Sequence, residues 1–195
     1  MSSSPDGAIG AAALLARIRP AIGPTGVLLL DGRSGSGKTT LAAWLAPRLA
    51  ARVLHLEDLY CGWDGLDGAA DVLARRVLPA FVAGRVADWP VWDWTADRRA
   101  GVGRLRPGGP LVVEGCGALT TASRPFAAVA VVLDVATPVR AARILHRDPP
   151  SALPGHRRWA GQERRHARRH PPAALADLVL PGGARIPEEP ASGLR

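Results

Sequence analysis

Ten consecutive residues, Asp31-Gly32-Arg33-Ser34-Gly35-Ser36-Gly37-Lys38-Thr39-Thr40, combine the groups needed to hold a polyphosphate. The pattern G-x-x-x-x-G-K-T runs from Gly32 to Thr39. Glycines let a backbone turn tightly and bring its N–H groups onto phosphate oxygens. Lys38 supplies a mobile point charge for the terminal phosphates, and the Thr39 hydroxyl is placed to serve Mg²⁺. Lys38 is also the only lysine, against 24 arginines. A chain so biased toward arginine keeps lysine where a planar guanidinium would fit poorly.

Carboxylates recur at comparable places. Glu57 and Asp58 follow the apolar segment 53–56, Glu114 follows 111–113 and Asp134 follows 127–133. In an open α/β sheet, ligands gather at the carboxyl ends of the strands, which makes these acids candidates for metal binding or proton abstraction. Asp134 has a second reading, as a cap on the following helix.

The elements that must position these groups read off the chain in order. A helix is expected over 8–19, stopped by Pro20, and a first strand over 27–31. The phosphate loop opens a helix that runs to about Ala51. A helical stripe covers 68–84, kinked or split by Pro79. Thr137-Pro138 is a helix-start signal, with Thr137 as N-cap, and that helix carries Arg140, Arg143 and Arg147. A loop of about eight residues leads to a basic helix over 156–169, and a last strand covers 178–180. Residues 1–7 and 184–195 read as tails. Continuous apolar strands alternating with helices predict a doubly wound α/β domain with a parallel sheet covered on both faces. Residues 1–195 form one such domain.

Composition excludes less than it permits. The formal charge is +8, but arginines are spread along the chain, and only 156–169 is dense enough to form a patch. Its excess reads as a solvated helix face, which argues against nucleic acid as the partner. The longest apolar run, 126–133, is far too short to cross a membrane. With no secretory leader pattern, the expected location is the cytoplasm. Cys61 and Cys116 show no metal spacing and read as free thiols.

Several further segments align with a known pattern: Glu57-Asp58-Leu59-Tyr60, Trp63-Asp64-Gly65-Leu66, Asp93-Trp94, Glu114-Gly115 and Arg140-x-x-Arg143-x-x-x-Arg147-Asp148. With the phosphate loop, they resemble the uridine kinase branch of the P-loop nucleoside kinases, which includes nicotinamide riboside kinase. The resemblance implies ATP as donor, Mg²⁺ as cofactor and the hydroxyl of a small molecule as acceptor, foremost the 5′-hydroxyl of a nucleoside such as uridine or cytidine. It implies that Glu57, or its neighbour Asp58, is the general base. The family usually has Asp at the first position, and one extra methylene displaces the carboxylate by about 1.5 Å. It assigns Glu114 with Thr39 to the metal, and residues 32–40 with Arg140 and Arg143 to the nucleotide. Arg143 and Arg147 join Lys38 in stabilising the transferring group, with a lid over 148–157. Tyr60, Trp63, Asp64, Asp93 and Trp94 fall to the acceptor. The loop aromatics Tyr60, Trp63, Trp92 and Trp94 read equally as a stacking surface or as plugs against the core. Cys61 departs from the proline of close relatives. The competing reading is a nucleotide-binding P-loop protein or ATPase acting through a protein or nucleic-acid partner.

Overall fold

Alternate side chains of a strand point to opposite faces, and here both faces are apolar. In β1 (Val27–Gly32), Val27 and Leu29 join one core cluster while Leu28 and Leu30 join the other. A computed structural model describes residues 10–182, so the tails read at 1–7 and 184–195 lie outside the described residues. Five parallel strands form the sheet in the order β2-β5-β1-β6-β7, with β2 Arg52–His55, β5 Leu111–Glu114, β6 Val129–Asp134 and β7 Leu178–Pro181. Helices cover both faces, as the doubly wound reading requires.

One face carries α1 (Ala11–Ile22) and α2 (Lys38–Arg48), which press Leu14, Ile18, Leu41 and Leu45 onto Leu28 and Leu30. Each such leucine or isoleucine contributes roughly 1.5–3 kcal/mol by leaving water. The expected stop at Pro20 is overridden, because α1 continues to Ile22 and ends at Gly23 with φ 55°. Pro20 is exposed and removes only one intrahelical bond, whereas Leu14, Ile18 and Ile22 hold the inner face.

The other face carries α3 (Leu66–Val72), a π-helical stretch Leu73–Val77 and α4 (Leu78–Val82). The register change at Leu73–Val77 is where the expected split appears, just before Pro79. Residues 87–105, unassigned from sequence, form an antiparallel hairpin of β3 (Ala87–Asp93) and β4 (Arg98–Leu105) separate from the main sheet. Trp89 lies so close over Gly103 that a Cβ there would come within 2.4 Å of the indole. That contact, with Ala87 and Leu105 in the core, seats the hairpin against the domain.

Three α-helices of the described residues follow β6. Helix α5 (Thr137–Arg147) buries only Arg140. Thr137 is its first helical residue rather than its N-cap; Ala136 holds the cap position, and the Thr137 Oγ1 instead accepts from Arg140 Nη2 at 2.9 Å. Helix α6 begins at Leu153, three residues before the expected 156, because Pro154 fits a first helical turn. It ends at Arg169, and the four-residue α7 (Pro172–Leu175) leads into β7.

Candidate active site

Parallel neighbours β2, β5 and β1 end side by side, so His55, Glu114 and the phosphate loop meet at one edge. Gly35 and Gly37 take φ 78° and 95°, values that side-chain-bearing residues resist, and α2 starts at Lys38 with its first amides turned toward the loop. Lys38 is only 7% exposed. Its Nζ donates to the Arg33 carbonyl at 3.2 Å and approaches Cys116 Sγ at 3.5 Å. Burial works against its charge, but Cys116, Asp31, Glu114 and Glu163 outweigh that and raise its pKa. The amine is a cation at neutral pH. Cys116 is the reverse: burial pushes its thiol up to about 12, despite Lys38, so it stays neutral.

Thr39 Oγ1 donates to Glu114 Oε1 at 3.1 Å, and His55 Nδ1 lies 2.7 Å from the same oxygen. A hydroxyl and a carboxylate side by side at a phosphate loop fit Mg²⁺, which takes hard oxygens and leaves most positions to water and phosphate.

From this cradle extends a cleft of about 740 Å³. Ser34, Gly35, Gly37, Lys38, Thr39, Thr40 and Glu114 line it together with Glu57, Tyr60, Trp63, Trp94, Arg143 and Arg147. Trp63 stands edge-on to both Trp94 (5.7 Å) and His156 (5.0 Å). It fits there because Gly155 of α6 has no side chain; a Cβ would come within 2.3 Å of the indole. Tyr60 donates to the Cys116 carbonyl at 2.9 Å and packs on Trp159, and burial raises its hydroxyl pKa well above the usual range. Trp92 packs against Gly62, outside the cleft lining.

Other predicted residues sit elsewhere. Glu57 lines the cleft, whereas Asp58 does not; partial burial raises the Asp58 pKa, opposed by His55 and reinforced by Glu114. Asp64 is exposed and pairs with Arg158, and Asp93 accepts from the amides of Thr95 and Ala96 to close the hairpin turn. Arg140 is buried behind the loop, with its guanidinium given to the carbonyls of Val135 and Ser34 and to Thr137. It braces the loop from outside the cleft. Gly32, Arg33 and Ser36 also lie off the cleft surface, Ser36 being buried. Arg143 donates to the Gly35 carbonyl at 3.2 Å, while Arg147 makes two 2.8 Å bonds to Asp148. Asp134 neither lines the cleft nor caps α5, whose N-cap carries no side-chain bond. Within 148–157, Asp148, Pro149, Ala152 and His156 line the cleft.

Two acids that the sequence reading left without a role are central. Asp31 is buried and accepts from the amides of Gly117 (3.2 Å) and Leu119 (2.8 Å) as well as Gly32. Burial raises its pKa, against those bonds and Lys38. Replacing Asp31 by alanine orphans three amides and is expected to cost about 3–5 kcal/mol in urea unfolding. Asparagine, which keeps one acceptor, should lose less. The second acid is Glu163, on the inner face of α6 with Trp159, Gln162 and His166. It accepts from the Ser34 amide at 2.6 Å and Arg33 Nε at 3.0 Å. The expectation of a solvated helix holds for the arginines of α6 but not for this stripe. A detectable signal was there: Glu163 is the only acid between residues 153 and 169.

The outer end of α6 is pinned by Asp67, which pairs with His166 (2.7 Å) and Arg169. Partial burial would raise the Asp67 pKa, but bonds from His166 and Arg169 outweigh it and lower it from 3.8. A depressed carboxylate stabilises the fold above its unfolded pKa and loses that contribution as pH falls through the folded value. The thermal midpoint should therefore drop below about pH 4, and Asp67→Asn should flatten that part of the profile.

Two solved structures share this architecture. A structure described as a possible uridine kinase from Bacillus stearothermophilus superposes with TM-score 0.64 at 22% identity, covering 87% of this chain and 96% of that one. A protein of Silicibacter sp. TM1040, provisionally described as a fructose transport system kinase, gives TM-score 0.58 at 22% identity, over 89% of this chain and 100% of that one. No protein-family model and no curated protein matches the chain. The fold, a parallel sheet with helices on both sides, is that of these kinases. Among the described residues no helix is long and apolar enough to cross a membrane.

Proposed function

We propose that the protein transfers the γ-phosphoryl group of ATP to a hydroxyl of a small molecule. The carrying observation is one cleft whose lining brings a lysine-bearing glycine-rich loop together with Glu57 and the aromatic side chains of Tyr60, Trp63 and Trp94. The provisional names of the two structural neighbours, a possible uridine kinase and a fructose transport system kinase, point the same way. Residues 34–40 would cradle the phosphates, with Lys38 on the terminal ones. Thr39 and Glu114 would hold Mg²⁺, which supplies charge neutralisation on the phosphate oxygens. Glu57 would take the proton of the acceptor hydroxyl, and Arg143 and Arg147 would meet the charge of the group in transit. Such catalysis is mostly positioning and electrostatics.

For the acceptor, the indoles of Trp63 and Trp94 in the cleft lining favour a nucleoside, with uridine or cytidine foremost. The test is ADP release measured with uridine, cytidine, nicotinamide riboside and fructose as candidate acceptors, and with RNA and DNA. Turnover that requires a small hydroxyl compound is the expected result. Turnover stimulated by nucleic acid, or independent of any acceptor, would overturn the reading in favour of an ATPase working through a partner. With the acceptor in hand, Trp94→Ala should raise its KM about tenfold while leaving kcat within about twofold.

A further inference from the structure

A second cavity, of about 220 Å³, borders the other flank of the phosphate loop at Gly32 and Arg33. It lies under α6 and α7, against the ends of β1 and β6, and shares only Cys116 with the cleft. Phosphoryl transfer as described has no use for it.

Its lining defines a ligand. Leu66, Val132 and Leu133 supply apolar walls. Into them comes His166, 4% exposed, whose Nε2 has no hydrogen-bond partner. Asp67 accepts from Nδ1 at 2.7 Å, and in the neutral ring this leaves Nε2 as a bare acceptor. An orphaned buried acceptor is costly, and a ligand N–H would relieve it. The charges nearby are mostly acidic. Glu163 is matched by Arg33 and Asp31 by backbone amides, while Asp134 stays exposed at the lining. An anion would meet three carboxylates and one already committed guanidinium.

We propose that this cavity is a second small-molecule site, for a compact, mainly apolar ligand that carries an N–H donor and no negative charge, such as an amino-substituted heterocycle. Occupancy reaches the phosphate loop directly, because Glu163 is both a wall of the cavity and the acceptor for the Ser34 amide. The ligand is an effector, and its binding and that of nucleotide change each other by the same factor. Only this coupling rests on the kinase reading; the site itself does not.

The probe is 2-aminobenzimidazole, with benzimidazole-2-carboxylate as its anionic twin. Binding to the full chain is followed by NMR of ¹⁵N-labelled histidine rings. A saturable shift of the His166 signals is expected, with the carboxylate at least tenfold weaker. Ala173→Phe, at an exposed position of the lining, should fill the cavity and weaken the probe at least tenfold without moving the melting curve. His166→Phe should weaken the probe as much by removing the acceptor, followed on the signals of the neighbouring His170, and should lower the melting midpoint by removing the bond to Asp67. Lys38→Ala should leave probe binding intact, and ATP should alter the probe affinity severalfold without displacing it. Absence of a saturable shift overturns the site, as does equal binding of the carboxylate, retention in Ala173→Phe or one-for-one displacement by ATP. Probe binding that ATP leaves unchanged, in a protein shown to bind ATP, overturns the effector role alone. In a protein that does not bind ATP, the kinase reading falls and the site stands.

Discussion

Lys38→Ala is expected to lower acceptor-dependent ADP release by at least about a thousandfold, corresponding to roughly 4 kcal/mol of transition-state stabilisation. The amine sits at the base of the cradle, held by the Arg33 carbonyl and surrounded by Asp31, Glu114 and Glu163, so its charge is present at neutral pH. Arginine should not rescue it. A longer, planar group would have to displace Cys116, which already lies 3.5 Å from Nζ. Circular dichroism should show an intact fold, because Lys38 belongs to neither hydrophobic cluster. Activity within tenfold of the wild type would remove the assignment of this loop as the donor site.

Glu163→Ala is the second large effect. Its carboxylate never lines the cleft, yet it holds two consecutive residues of the phosphate loop from behind. Without it the Ser34 amide loses its acceptor and Arg33 its partner, and the loop is no longer held in its binding shape. The expected result is a fall of about a hundredfold in kcat/KM, mostly through a higher KM for ATP, from loss of preorganisation. Glu163→Gln, which keeps one carbonyl acceptor, should recover part of it. A purely structural role predicts a lower thermal midpoint with KM unchanged, so the two measurements separate the possibilities.

Much of this was legible in the chain. Patterns with a local cause read correctly as structure: the succession of strand, glycine-rich loop and helix, the apolar strands, the acid at the end of β5 and, to within one residue, the proline-marked start of α5. What escaped depends on distant partners. Asp31 stands next to the recognised loop, but its task is to hold residues 117–119, more than eighty positions away. Glu163 looked like one charge on a solvated helix because its standing as the lone acid of α6 does not say which distant loop that helix lies on. The resemblance assigned Arg140 to the nucleotide with Arg143; in the structure it turns inward to backbone carbonyls. The hairpin of β3 and β4 was missed because Pro90 and the alternation of Trp and Asp obscure strand character, and its pairing is irregular there.

The solitary lysine has a practical consequence. Apart from the chain's own α-amino group, the molecule offers amine-directed reagents a single address, and that address lies at the bottom of the cleft. The twenty-four arginines are silent to acylation. Once the α-amino group is blocked, and at a pH high enough to free the Lys38 amine, mass added by an amine-directed reagent counts entries into the cradle, and protection by a bound compound becomes a measure of occupancy.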